Sequence, residues 1–537
     1  MPGRDPAAAA VGTSPSPRVA AACVALACLA IVAVRARGYG EPFDRDVGTY
    51  AVIAREMRHG RLLYTDLFDH KPPAIYGLFA AAQAVAGVGE ASVFVIGVFS
   101  ATVTALALFS AGARVGGAPA GVVAAASWAA LSADLALQAD QPNVEAPLNA
   151  CLAIAFAALV AIRSVRMDRP VVTAGVFLGL AMLFKPVVAP DVAALALAHV
   201  LIPPPAVCRR RAVLQASVIV ALCAAPLILL AAYFALRGRS ADAWLALVTY
   251  NASYGGSLSA TLREGLRPSR LLPAILRHAT PLAVVAVSAP LSWWRCRRVP
   301  REWALLIAWL VSTPVAVALP GKFFPHYYQL WLPPLCIAAA WAVAAIAQRT
   351  GRPAMAAVGV GSVLVVVLGL AEAPIYALSA EERSRAKYGD VFIRSREVAL
   401  EVERLAPGET LFVWGNEPEI YLYTGLPPPT GVLWADHMMF GATHVALRSR
   451  ALQQLSIADP ELVVWSEDNP PPPGALGRWF RESYVEARSF LRVAGFSVWL
   501  RRGGAVERRL QHQSIPPARR RRSSLPACRS GPAASAP

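Results

Sequence analysis

Long uncharged runs broken by short arginine clusters set the pattern of this chain. Apolar stretches recur near residues 19–34, 92–112, 117–134, 144–162, 170–184, 187–204, 212–236, 278–294, 302–319, 329–347 and 353–371. Several approach the ~20 residues with which a helix crosses the hydrocarbon core of a bilayer. The pair around Lys185 is the weakest, yet residues 170–204 are too long for a single crossing. Arginine-rich "RSVRMDR" (163–169) precedes that pair and "CRRR" (208–211) follows it. Cationic loops gather on the cytoplasmic side, so two crossings must separate them. The pattern predicts an all-α polytopic membrane protein of about 11 transmembrane helices.

One further apolar run, in "DHKPPAIYGLFAAAQAVAGVGE" (69–90), is settled by parity. If it does not cross, the loops at Arg114, Arg163, Arg209, Arg295 and Arg349 all fall inside; if it crosses, all five turn outward. The positive-inside bias favours a segment that lies at the outer interface or dips in and returns. Arg55, Arg58, Arg61 and Lys71 of the first outer loop oppose that bias, but a long loop has a weak vote.

Beyond residue 371 the hydrophobicity collapses. Residues 380–405 have amphipathic helical spacing. "ETLFVWG" (409–415), "ELVVWS" (461–466) and "FSVWLRR" (496–502) read as strands, with a helix over 416–425. A small C-terminal α/β domain over 372–505 is expected on the outer side. Residues 1–18 and the basic 506–537 are expected to be disordered tails.

Composition agrees. The 537 residues are 56% hydrophobic and 16% charged, where soluble proteins carry about 25% charge. The net charge of +17 does not argue for nucleic acid, because the basic residues are scattered between apolar spans. The eight cysteines form no C-x-x-C and sit mostly in or beside the spans, which suggests neither a zinc site nor a disulfide framework.

Charge at the span ends carries the chemistry. Under the predicted topology the outer edges hold both signs: Asp44, Asp46, Asp66, Asp69 and Lys71 in loop one; Asp134, Asp140 and Glu145 at loop two; Lys185 and Asp191 at the third turn; Lys322 and His326 in "GKFFPHYYQ". Charge at a membrane edge is expensive and is a functional hypothesis by default. Carboxylates supply a general base, and lysines with a histidine supply an anion site for a phosphate leaving group. Each residue also has an ordinary reading. Asp46 is placed to cap the helix through "TYAVIAREM", and Lys71 to snorkel to headgroups. Asp140 and Glu145 can cap the fourth span, Lys185 can mark a turn before Pro186, and His326 can join an interfacial aromatic belt.

The first loop, "DRDVGTYAVIAREMRHGRLLYTDLFDHKPP", resembles that of the GT-C glycosyltransferases. It is similar in particular to the branch of dolichyl-phosphate-mannose–protein mannosyltransferases and the lipid A aminoarabinose transferase. "GLAMLFKPVVAP" and "PHYYQLWLPPL" resemble later blocks of that family, and the similarity covers roughly residues 20–345. The resemblance implies a GT-C catalytic domain over 19–371, with juxtamembrane helices in the first outer loop. It implies inverting transfer of a sugar from a polyprenyl-phosphate donor to an outer acceptor. Asp46, four residues before Tyr50, matches the family's first-loop aspartate, and Asp44 is an extra acid beside it. Lys71 matches the phosphate-contacting lysine, and Glu145 the acid of the second outer loop. Lys185 and His326 are candidates for phosphate or sugar contact, and Asp140 is a possible additional acid. No cofactor is required by the resemblance; Asp44 and Asp46 together suggest a possible Mg or Mn site. The expected partners are the lipid-linked donor, an acceptor of unspecified class and the bilayer, in the cell membrane. A flippase for lipid-linked sugars is the alternative, but transporters carry repeats and midplane sites, whereas here no repeat is visible and the charges gather at one surface.

Overall fold

The computed structural model describes residues 16–288, 300–487 and 493–514. Most of both expected tails, Cys296, Cys528 and Arg295 lie outside these residues. Order at the C-terminus reaches past the expected boundary at 506, because Ala505–Ser514 is a helix that buries Val506 and Leu510.

Every expected span coincides with a helix, although the span expected at 278–294 continues outside the described residues. Among the described residues six helices are long and apolar enough to cross a membrane: Pro17–Ala36, Glu90–Gly116, Arg209–Leu236, Arg301–Ala318, Pro325–Ala347 and Pro353–Tyr376. Ala118–Leu131, Glu145–Ala161, Arg169–Phe184 and Pro186–Leu201 are shorter apolar helices. Length and composition thus support six crossings directly, fewer than the sequence pattern suggests. Pro17–Ala36, Arg209–Leu236 and Pro353–Tyr376 leave most of their surface exposed, whereas Pro325–Ala347 is largely buried at the centre of the bundle. Small residues let the helices approach. A Cβ on Gly121 would stand 2.6 Å from the Phe109 carbonyl oxygen, so the hairpin of Glu90–Gly116 and Ala118–Leu131 needs glycine there.

Polar contacts sort the loops into two ends of the bundle. At one end Arg301 donates to the Leu159 carbonyl, Arg163 pairs with Glu302, and Gln215 donates to the carbonyls of Ser164 and Arg166. At the other end lie the first loop, the 132–144 loop, the turn at Lys185 and the 320–327 loop. The loop at Arg163 and the first turns of Arg209–Leu236 and Arg301–Ala318 thus share one end. The Ala74–Ala86 helix begins beside Lys71 at the second end, and Gln83 donates back to the Ala51 carbonyl. The next helix, Glu90–Gly116, starts at that same end, with Phe94 edge-on to Tyr39. At 13 residues the Ala74–Ala86 helix is only about 20 Å long, against a core of ~30 Å. The segment leaves and rejoins one end of the bundle.

The C-terminal region carries a four-stranded mixed sheet, β1 (Leu411–Trp414), β2 (Leu462–Ser466), β3 (Tyr484–Glu486) and β4 (Phe496–Arg501), in the order β1-β2-β4-β3. β1 and β2 are parallel, with Leu411 opposite Leu462; the other pairs are antiparallel. Three strands stand where the alternation places them. β3 is too short to show a pattern, and only Ile420–Tyr423 of the expected 416–425 helix is helical. The amphipathic stretch 380–405 is two helices, Ala380–Tyr388 and Val391–Leu405, broken at Gly389 in the left-handed region (φ +67°). A capping box between Ser379 and Glu382 starts the first of them.

This region is not an appendage. Arg55 donates to the carbonyls of Tyr421 and Leu426, Arg61 to that of Pro428, and Arg45 to that of Asn416. Phe68 pairs with Val432 as an isolated bridge. The first loop and the C-terminal region form one packed cap over that end of the bundle.

Candidate active site

Two acids in loop one, indistinguishable by composition, are separated by the phase of the Arg45–Arg58 helix. Asp44 is the N-cap: its Oδ1 accepts from the Val47 amide at 2.9 Å, satisfying a donor left open at the helix start. Asp46 sits in the first turn, free of capping, and turns to Lys71, whose Nζ donates to its Oδ1 at 2.8 Å. Asn143 Nδ2 donates to the other oxygen at 2.9 Å, and Tyr50 OH donates to Asn143 Oδ1 at 2.9 Å. Tyr50, four residues beyond Asp46, lies one helical turn on, with its ring 4.8 Å from the Lys71 ammonium.

A second pair faces the first. Lys185 Nζ lies 2.6 Å from Glu145 Oε1 and 3.6 Å from the centre of the Tyr327 ring. Glu145 is fully buried, and its Oε2 has no hydrogen-bond partner. His326 stands edge-on to Tyr327 at 4.7 Å, with Nδ1 3.0 Å from Gln138 Oε1. Tyr64 and Gln138 are non-glycine residues in the left-handed region, at φ 66° and 52°. Both touch the cluster, Tyr64 by donating to the Lys71 carbonyl at 2.7 Å. Backbone strain of this kind persists where surrounding structure holds it, typically at functional sites.

The electrostatics follow from burial and pairing. Burial alone pushes the Asp46 carboxyl up, but Lys71, then His326, then the hydrogen bonds of Lys71 and Asn143 hold it well below the usual carboxylate range. Lys71 feels the same burial, outweighed by Asp46 and Asp69, and its pKa is raised. Lys185 is lowered: burial dominates despite Glu145. Asp44 is pushed up to about 6 by burial and then by the Asp46 charge.

The structure brings Asp46, Lys71, Glu145, Lys185 and His326 together from elements far apart in sequence. It separates Asp140, whose carboxylate meets Lys387 Nζ at 2.7 Å beside Glu41 at 2.6 Å, all nearly inaccessible. That buried trio ties Ala380–Tyr388 to the 132–144 loop. Asp44 faces the Tyr388 hydroxyl at 3.3 Å and its own helix. With Asp44 committed to capping and Asp46 to Lys71 and Asn143, the two acids do not present the open oxygen set an Mg or Mn ion would take.

Sequence reasoning missed Asn143, Tyr327 and Trp434. Trp434 Nε1 donates to Thr49 Oγ1 at 2.7 Å, and its ring lies 6.0 Å from the Lys71 ammonium. Asn143 was legible in part, two residues before Glu145 in "QPNVE"; nothing local marks Trp434. Asp69, His70 and His437 also converge, with one potential ligand atom from each within 4.8 Å of the others.

Residues 70–247 match the family model for dolichyl-phosphate-mannose-protein mannosyltransferase. Over that segment, less than half of its length, the chain is similar to that mannosyltransferase family. The crystal structure of ArnT from Cupriavidus metallidurans bound to undecaprenyl phosphate has a TM-score of 0.59 to this structure at 16% identity, over 90% of this chain and 98% of that one. The apo form of the same protein gives 0.60, with the same identity and coverage. The apo Archaeoglobus fulgidus oligosaccharyltransferase gives 0.53 at 14% identity, over 84% of this chain and 70% of that one. These likenesses are of fold. No curated protein matches the chain by sequence.

Proposed function

We propose that this protein is a membrane glycosyltransferase that moves a sugar from a polyprenyl-phosphate donor to an acceptor on the non-cytoplasmic side, with inversion at the anomeric carbon. It does so from an 11-crossing bundle over 19–371, with the 372–505 region as an outer cap. The contact between Asp46 and Lys71, 2.8 Å apart at the rim of the apolar bundle, carries the reading. A lipid-linked phosphate would lie at that depth, with its chain along the lipid-facing helices. The solved relative that holds undecaprenyl phosphate has the same fold.

Each residue then has a role. The ammonium of Lys71 takes the donor phosphate, seconded by Lys185 and His326. In the free site Lys71 is the largest charge holding Asp46 down. A phosphate that draws Lys71 away raises the basicity of Asp46 as substrate arrives. Asp46 accepts the proton of the acceptor hydroxyl as its oxygen attacks the anomeric carbon. The bond from that carbon to the phosphate oxygen breaks, and polyprenyl phosphate leaves with its charge on the lysines. Glu145 holds Lys185 in place.

The test is release of free polyprenyl phosphate from radiolabelled polyprenyl-phosphate sugar, with purified protein in detergent and membrane extract as acceptor. Release that disappears in Asp46→Asn supports the proposal. An unchanged donor, together with scrambling of the sugar lipid across vesicles, overturns it in favour of a flippase.

A further inference from the structure

The side of the Arg45–Arg58 helix turned away from the site rests on a buried acid. Asp46 and Gly48 are two residues apart, about 200° around a helix, so one faces Lys71 while the other faces the C-terminal region. A Cβ on Gly48 would stand 2.9 Å from Glu419 Cβ and 3.1 Å from the Glu419 amide nitrogen, so glycine lets the helix settle there. Seven residues on, Arg55 extends the same stripe to the Tyr421 carbonyl. Glu419 is fully buried, and neither of its side-chain oxygens has a hydrogen-bond partner.

An ionised carboxylate in that position is costly. Burial, then the neighbouring Glu417, pushes the Glu419 carboxyl well above the usual carboxylate range. Arg45 faces both acids, but its side chain is 40% exposed and stands 3.5 Å from Glu417 Oε1. Ser395 faces Glu419 from the Val391–Leu405 helix, and its hydroxyl already donates to the Phe392 carbonyl at 3.0 Å. It can accept from a neutral carboxyl, whereas its one hydrogen is not free for a carboxylate. Tyr423 also faces Glu419, and its hydroxyl accepts from the Phe43 amide at 2.9 Å.

We propose that Glu419 is a positioning residue for Asp46: as a neutral acid it seats the Arg45–Arg58 helix on the C-terminal region, and its ionisation unseats that helix. Loss of the proton puts two carboxylates, Glu417 and Glu419, in one dry junction with Arg45 half-exposed beside them. Parting of helix and cap, with entry of water, relieves that charge. The contact at Gly48 is then lost, and Asp46 moves relative to Lys71. The stability contributed by the proton is whole below the ordinary glutamate value of about 4.3. It is lost as pH rises through the raised value of the folded chain. The seating stands apart from the transfer proposed above; its effect on turnover rests on that reading.

The test uses the full-length protein in detergent, with Glu419→Gln and Glu419→Ala. At neutral pH the infrared difference between wild type and Glu419→Gln is expected to contain a protonated-carboxyl band. Glu419→Gln keeps shape and neutrality, so amide-exchange protection of residues 45–58 and sugar transfer are both expected to be retained. Glu419→Ala is expected to lose that protection and to lower kcat by up to about 10²-fold with KM little changed, the effect of a small misplacement. In the wild type, protection and transfer decline together at alkaline pH, and Glu419→Gln carries both to higher pH. Where Glu419→Ala fails to fold, the infrared band and the two pH series carry the test. An absent band, the same alkaline decline in Glu419→Gln, or Glu419→Ala with protection intact overturns the proposal. If the wild type transfers no sugar, the proposed function falls, while band and exchange still decide the seating.

Discussion

Replacing Asp46 by Asn separates the role of a base from that of a donor anchor. The change removes one charge and keeps the shape, so Lys71 and Asn143 retain a neighbour. At an effective dielectric constant of ~20, unit charges 2.8 Å apart attract by about 6 kcal/mol. Dehydration of both groups offsets most of this, and the side chains remain 20% and 14% exposed, which screens the rest. A net hold of about 1 kcal/mol on Lys71 is what survives, and its loss frees the ammonium for phosphate. Asp46→Asn is therefore expected to bind a short-chain polyprenyl phosphate about fivefold more tightly, by calorimetry in detergent. Sugar transfer is expected to fall by about 10²–10⁴, or ~3–5 kcal/mol of barrier, the usual contribution of a positioned general base. Tighter binding with slower transfer distinguishes the proposal from simple damage. The reasoning is refuted if phosphate binding weakens in step with the rate, because Asp46 would then be holding the donor or the fold.

Three further outcomes follow from the same geometry. Asp44 sits near pKa 6 when folded, against 3.8 for the free side chain, so the folded state holds the extra proton between those values. Stability contributed by that proton is present at low pH and declines as pH rises through about 4 to 6, at a total cost of up to ~3 kcal/mol by pH 7. Asp44→Asn keeps the cap and removes the cost, so its melting temperature is expected to exceed that of the wild type at pH 8 and to converge with it at pH 4. Asp140→Asn breaks one of the two acid contacts to Lys387, 2.7 Å long. It is expected to cost about 1.5–3 kcal/mol of stability while leaving the turnover of the folded fraction within about threefold, read as melting temperature against active-site-normalised rate. In Gly48→Ala the new Cβ stands 2.9 Å from Glu419 Cβ, with the Glu419 backbone close behind. Overpacking by about 1–3 kcal/mol is expected, with a fall in kcat larger than any change in KM because the helix that carries Asp46 must shift.

The membrane character, the positions of the apolar helices and the identity of the charged residues at one end were legible in the chain. Apolar runs are local and their period is short, so they survive any tertiary arrangement. The sorting of arginines led to the expectation that residues 74–86 return to the side they left, because each loop contributes to that count independently of packing. The first-loop residues Asp46 and Lys71 stood out by spacing and by their resemblance to a family. What the sequence could not show is which acid meets which base. Asp44 and Asp46 are two residues apart, yet one ends at a helix start and the other points at Lys71. Asp140 looked like Glu145 and was claimed instead by Lys387, 247 residues away. His437 carried no signal, because one histidine in "WADHMM" acquires meaning only beside Asp69 and His70. A charge at a membrane edge is costly until it finds a partner, and the partner is chosen by how helices and cap pack. That choice depends on distances of a few ångströms between segments remote in sequence, and only the folded chain specifies them.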